Sequence, residues 1–195
     1  MADEIDKGTH MLRRSFILGS MAFGLAACGG TQAAIGPDGL PLAQVYRISP
    51  QDADDIQFRV LDGLNALRQS AGAQPVQLNA QLNAAAATHS RDMSVQNRPW
   101  HFGSDGSSPI ARLRRVGYGG ALTGETISET YETELETLGA WMREPSTRTV
   151  LLNSEATEMG IAWFQESNGK IWWTMVMANG NKRPIIAQEN PVPLQ

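Results

Sequence analysis

The chemistry open to this sequence rests on three histidines, one cysteine and a few polar clusters. His89-Ser90-Arg91-Asp92 places three residue types used in hydrolytic relays within one short string. Neighbouring residues on a helix do not face one another, so these side chains cannot relay a proton among themselves. The string reads as a polar cluster on a helix surface or a helix-end hydrogen bond. Neither the G-x-S-x-G nucleophile elbow nor the H-E-x-x-H zinc motif occurs. A single cysteine, Cys28, excludes an intramolecular disulfide and a four-cysteine zinc centre. His10 lies in the N-terminal appendage, so any metal site must lean on carboxylates. Gly117-Tyr118-Gly119-Gly120 lacks the strand–turn–helix setting of a phosphate loop and reads as a flexible or close-packed turn.

The chain that must position these groups has 195 residues, enough for one domain and a short appendage. Hydrophobic residues make up 42% and charged residues 18%, which excludes global disorder. A net charge of −4 provides no basic field for a polyanion, so nucleic acid is not an expected partner.

Arg13 and Arg14 precede an apolar run from Phe16 to Ala27. The run falls short of the roughly 20 residues needed to span a bilayer and has the layout of an export signal. It ends in Leu25-Ala26-Ala27-Cys28, which resembles the lipobox of bacterial lipoproteins. That resemblance implies cleavage before Cys28, acylation of its thiol and no cysteine left for catalysis. Arg13-Arg14-Ser15-Phe16-Ile17 also resembles a twin-arginine signal, with general export as the alternative. Residues 1–27 are therefore read as leader and signal peptide. Residues 28–50, rich in Gly, Ala and Pro, are read as a lipidated flexible tether.

Residues 51–180 are read as the domain and 181–195 as a polar surface tail. Ile56, Val60, Leu64 and Leu67 give one apolar stripe, predicting a helix over 51–71. A second helix is expected from about Leu78 to Asn97, carried by the alanine run 84–87. A short helix is expected at 109–116 and another at 129–143, with Tyr131, Leu135, Leu138 and Met142 facing inward. Residues 117–124 are expected to be a loop. The period then changes: 160–166 and 170–178 read as strands joined at Asn168-Gly169, a dipeptide suited to a turn with two positive φ angles. In the second strand Ile171, Trp173, Met175 and Met177 share one face, and Trp172, Thr174, Val176 and Ala178 the other. Bulk on both faces makes that strand central. Trp141, Trp163, Trp172 and Trp173 read as core and sheet anchors; adjacent Trp172 and Trp173 point oppositely, leaving one free to line a surface or cleft. Helices first and a hairpin last give an α+β fold with a small antiparallel sheet flanked by helices.

An ordered set of strings then carries a family resemblance. Asn65-Ala66-Leu67-Arg68 is followed by His89-Ser90-Arg91-Asp92-Met93, His101, Gly103-x-Asp105-Gly106 and Arg112. Gly117-Tyr118, Gly124-Glu125-Thr126-Ile127, Trp141-Met142-x-x-Pro145 and Arg148 come next, then Gly160-Ile161-Ala162 and Met175-Val176-Met177-Ala178. In order and spacing, over about residues 55–180, the chain resembles the CAP superfamily of cysteine-rich secretory, antigen 5 and pathogenesis-related proteins. The resemblance implies an α-β-α sandwich with a central cleft lined by two His and two Glu, which in several members hold a divalent cation such as zinc. His101 matches the first histidine and Glu125 the acid of the Gly-Glu-Asn motif, with Thr126 where asparagine is usual. Glu144 matches the acid three residues after Trp141. Thr147 stands where the second histidine is expected, and His89 is a candidate substitute.

The reading that follows is a non-enzymatic binding module, exported and anchored by lipid to the bacterial envelope. The default location is the periplasmic side of the outer membrane, since Gly29 follows Cys28. Its cleft residues are His101, Glu125 and Glu144, which are also the metal candidates. The resemblance implies a lipid, cell-wall (peptidoglycan), protein or metal ligand. The alternatives are a metal-assisted hydrolase using His101 and Glu125, with a metal-activated water, and a structural envelope protein with a vestigial cleft.

Overall fold

A computed structural model describes residues 45–183. The leader, Cys28, the first part of the tether and residues 184–195 lie outside the described residues. Helix α1 (Ala53–Ser70) buries Ile56, Val60 and Leu64 along the predicted stripe. Strand β1 (Gln77–Leu78) leads directly into α2 (Ala80–Gln96). Asn79 caps α2 by accepting hydrogen bonds from the backbone of Gln81 and Leu82, and Asn97 ends it in the left-handed conformation, φ 48°. Helix α3 (Pro109–Arg115), strand β2 (Ala121–Thr130), α4 (Glu134–Arg143) and α5 (Pro145–Leu151) follow, and the hairpin β3 (Glu158–Gln165) and β4 (Ile171–Asn179) closes the domain.

The sheet order is β1-β3-β4-β2. It is antiparallel except for the short parallel pairing of β1 with β3. Alternation along β3 and β4 divides the core in two. Met159, Ile161, Ile171, Trp173, Met175 and Met177 pack with α1, α4 and α5 on one side. Ala162, Val176 and Ala178 pack with α2 and α3 on the other. This is the expected α-β-α sandwich. Gly160 sets the closest approach of α2 to the sheet: a Cβ there would lie 2.3 Å from the Leu82 carbonyl carbon and 2.4 Å from the Asn83 nitrogen.

Several expectations are corrected. Residues 121–130 form an edge strand rather than a loop running into a helix, because each residue from Gly124 to Thr130 pairs with β4. Helix α4 accordingly starts at Glu134, where Thr133 and Glu136 form a reciprocal capping box. Tyr131 and Leu135 are 53% and 46% exposed, whereas Leu138 and Met142 face the core as expected, joined by Trp141. Only Gly169 has positive φ in the hairpin turn, 99°. Glu166 N donates to Lys170 O at 2.8 Å and Gly169 N to Glu166 O at 2.9 Å, which defines a three-residue loop. Trp172 and Trp173 are both fully buried, so neither lines a surface. Residues 45–49 belong to the domain: Gln165 holds Ile48 N at 3.0 Å and Tyr46 O at 2.7 Å.

Candidate functional site

Four elements converge on Glu125. Strand β2 places it opposite Val176, on the face covered by α2. Helix α3 supplies Arg112, the segment after α2 supplies His101, and α2 itself supplies His89. Arg112 Nη2 donates to both carboxylate oxygens, at 2.9 and 2.7 Å. Its Nη1 donates to the carbonyls of His101 and Ser107, at 3.0 and 3.1 Å, so one guanidinium fixes both the acid and the loop above it. The loop is closed on itself by Gly103 N donating to Ser107 O at 2.8 Å. It is tied to α2 through Asp92, which accepts from Ser104 N and Oγ at 2.7 and 2.6 Å.

His101 Nδ1 stands 2.9 Å from Glu125 Oε1. A carboxylate held by arginine only accepts, so Nδ1 is the donor in this contact and Nε2 is left outside it. The His101 side chain is 48% exposed while those of Glu125 and Arg112 are 2% and 5% exposed. The pair is thus a buried anion and cation with one imidazole reaching from it to solvent. Trp100 and Phe102 flank His101, both partly exposed, with ring centroids 5.5 Å apart in an edge-on arrangement.

His89 is fully buried beneath this pair, with Nε2 3.8 Å from Glu125 Oε1 and no hydrogen-bond partner on either ring nitrogen among the described residues. Burial pushes its pKa below the ordinary imidazole value and holds it neutral. The charges of Glu125 and Asp92 pull the other way without reversing the shift, and Arg112 reinforces it. The helix-surface reading of His89-Ser90-x-Asp92 is therefore corrected. His89 and Ser90 face the sheet, with Ser90 Oγ 2.9 Å from Thr174 Oγ1, and Asp92 anchors the loop. The signal for this is present in the sequence: Leu82, Ala85, Ala86, His89, Ser90 and Met93 recur at helical spacing.

The structure brings His101 and Glu125 together and leaves Glu144 outside their hydrogen-bond network. Glu144 is exposed at the junction of α4 and α5, where its Oε1 accepts from Ser146 Oγ at 3.2 Å. Thr147 spends its hydroxyl on the Trp141 carbonyl at 2.6 Å, a local helix-end bond. No group of three or more His, Cys, Asp or Glu is arranged to hold a metal among the described residues. The donor set does not fit a divalent cation for a second reason. Both oxygens of Glu125 already face a permanent positive charge, and a metal there would have to displace a buried guanidinium. Arg112 is the residue that sequence reasoning missed as a member of the site. It stands in the ordered strings, but its pairing across elements leaves no local signal.

The cysteine-rich secretory protein family model matches residues 61–177. The uncharacterized protein YkwD of Bacillus subtilis is 28% identical over 124 residues, covering 64% of this chain and 48% of that protein, so the match spans about half of the curated relative's length. Among solved structures, an extracellular protein containing a SCP domain from Bacillus anthracis superposes with a TM-score of 0.61 at 21% identity, covering 69% of this chain and 45% of the other. An outer surface protein from Borrelia burgdorferi superposes with a TM-score of 0.60 at 15% identity, covering 72% of this chain and 99% of the other. These structures share the fold.

Proposed function

The chain belongs to the cysteine-rich secretory protein (CAP) family, and on that footing we propose that it is an exported, lipid-anchored module that binds a ligand at His101 without catalysing a reaction. The observation that carries this reading is the closure of Glu125. With both carboxylate oxygens on Arg112 and one also on His101, the acid is a structural anion that orients an imidazole. What the site offers outward is the half-exposed imidazole of His101, next in sequence to the exposed rings of Trp100 and Phe102, a recognition surface rather than a set of reacting groups. Leu25-Ala26-Ala27-Cys28 supports acylation at Cys28 and retention on the envelope. The names of the structural relatives, one extracellular and one an outer surface protein, support export.

Calorimetric titration with zinc tests the site. The sample is the chain from residue 28 onward with Cys28→Ser, alongside His101→Ala and Glu125→Gln. No saturable heat is expected in any of the three. One-equivalent binding that vanishes in both variants would overturn the reading and turn attention to a metal-activated water. Membrane fractionation of the native protein and mass analysis of Cys28 test the anchor. An acylated chain in the membrane fraction is expected, and a soluble, unmodified Cys28 would refute it.

A further inference from the structure

The C-terminal end of α2 and the segment after it carry an unusual concentration of exposed bulk. Val95 is 77% exposed, Phe102 44% and Trp100 39%. Two cations stand among them. Arg98 stacks over the Trp100 ring with its guanidinium carbon 4.0 Å from the centroid, and Arg91, one helical turn before Val95, lies 5.2 Å from the Phe164 ring. Neither arginine is within ion-pair distance of a carboxylate among the described residues, although the chain as a whole is acidic. Asp92, the acid next to Arg91, is occupied by Ser104 and Gln96. Exposed Trp and Phe beside unpaired arginines is the combination that suits a bilayer interface, where rings enter the headgroup layer and guanidinium groups meet phosphates.

A second observation fixes the occupant. Near the start of the domain, the Val45 side chain lies against Gly169 in the β3–β4 turn. That turn is bound to the same end of α2: Glu166 Oε1 accepts from Ser94 Oγ at 2.9 Å, and Lys170 Nζ donates to Asn97 Oδ1 at 2.9 Å. The segment leading back to Cys28 thus joins the domain at the end that carries the exposed rings.

We propose that this end of α2, with Trp100, Phe102 and Val95 entering the interface and Arg91 and Arg98 on lipid phosphates, docks the domain on an anionic bilayer. The inference rests on the anchor reading for its geometry. A short tether raises the local concentration of the bilayer to about the millimolar range, so a weak surface suffices. His101 lies between Trp100 and Phe102 in sequence and its side chain is half-exposed, so docking brings it to the headgroups.

The test uses the chain from residue 28 onward with Cys28→Ser, which removes the acyl group and none of the described residues. Co-sedimentation is measured with phosphatidylcholine vesicles with and without phosphatidylglycerol. Binding to the anionic vesicles alone, weakened by salt, is expected. Brominated acyl chains should quench tryptophan emission, and Trp100→Ala should abolish that quenching. Arg98→Glu should lower the partition coefficient about tenfold. Ile110→Ser, an exposed residue lining a cavity with Ala121 at the far end of β2, should change nothing. Absence of anionic-vesicle binding, indifference to Trp100→Ala and Arg98→Glu, or self-association through the same rings in place of vesicle binding would each overturn the proposal. The two readings fail separately. An unmodified Cys28 with intact vesicle binding sinks the anchor alone. An acylated Cys28 with no vesicle binding sinks the docking surface alone.

Discussion

Arg112→Met should be among the most destabilising single substitutions in the domain. The change keeps the side-chain volume and removes the charge opposite Glu125, whose side chain is 2% exposed. Among the described residues, His101 would be the only remaining hydrogen-bond donor on that carboxylate. Breaking a buried pair by removing one partner costs about 3–5 kcal/mol, because the stranded charge keeps its desolvation penalty. Two further donations, to the carbonyls of His101 and Ser107, go with it. The expected loss is therefore about 4 kcal/mol, or roughly 10–15 °C in melting temperature for a domain of this size. Urea denaturation at neutral pH measures it. The double variant Arg112→Met/Glu125→Leu completes a cycle. It should recover at least about 2 kcal/mol relative to the sum of the single changes, since no charge is then left buried. A single-variant cost under about 1 kcal/mol, or strict additivity in the cycle, would refute the claim that Arg112 neutralises a buried acid.

Three further outcomes follow from other parts of the fold. His89 is held neutral with its pKa depressed, so the unfolded chain takes up its proton first as pH falls. Its contribution is fully present above about pH 6.5 and declines below it, by at most about 1.4 kcal/mol per pH unit. His89→Leu should flatten urea stability between neutral and mildly acidic pH, and an unchanged slope would count against the burial argument. Gly160→Ala should cost at least about 2 kcal/mol, because the new Cβ meets the α2 backbone and not a movable side chain; a thermal melt within a degree of wild type would sink this reading of the helix–sheet contact. Arg68 is fully buried with no carboxylate partner among the described residues and donates to the carbonyls of Gln74, Leu151, Asn153 and Ala156. Arg68→Lys should lose about 2–3 kcal/mol, since an ammonium cannot reproduce the planar fork. Equal stability of the two chains would show that charge alone suffices there.

What the sequence discloses depends on whether the determining contacts are local. The alanine run and the alternation from Ile171 to Ala178 are local patterns, and they give α2 and β4 to within two residues. Strand β2 is hidden because Ser128, Glu129 and Thr130 carry no strand-like apolar face. Their extended form comes from pairing with Trp173, Trp172 and Ile171, over forty residues away. Helix α5 escapes sequence reading although Pro145 at its first position is a start signal, because the chain has just left α4 through an extended Glu144, ψ 121°. The same division holds in the site. Ordered motifs mark His101 and Glu125, and the structure joins them at 2.9 Å. Glu144 is assigned by its spacing from Trp141, and spacing along a helix does not say which way the next element turns.

The missing second histidine and the bound arginine belong to one physical argument. A buried carboxylate needs compensating positive charge. A metal site supplies it only when enough imidazole and carboxylate ligands converge to hold the ion against water. Here Thr147 closes a helix end instead of offering a nitrogen, and Glu144 faces solvent. Arg112 supplies the charge from within the chain and reaches the loop carbonyls with its other nitrogen. His101 is consequently oriented without a cofactor. Depletion of divalent metals by a chelator should leave both stability and any ligand affinity at this site unchanged, whereas a chelator-sensitive melt would return the site to the metal-dependent reading.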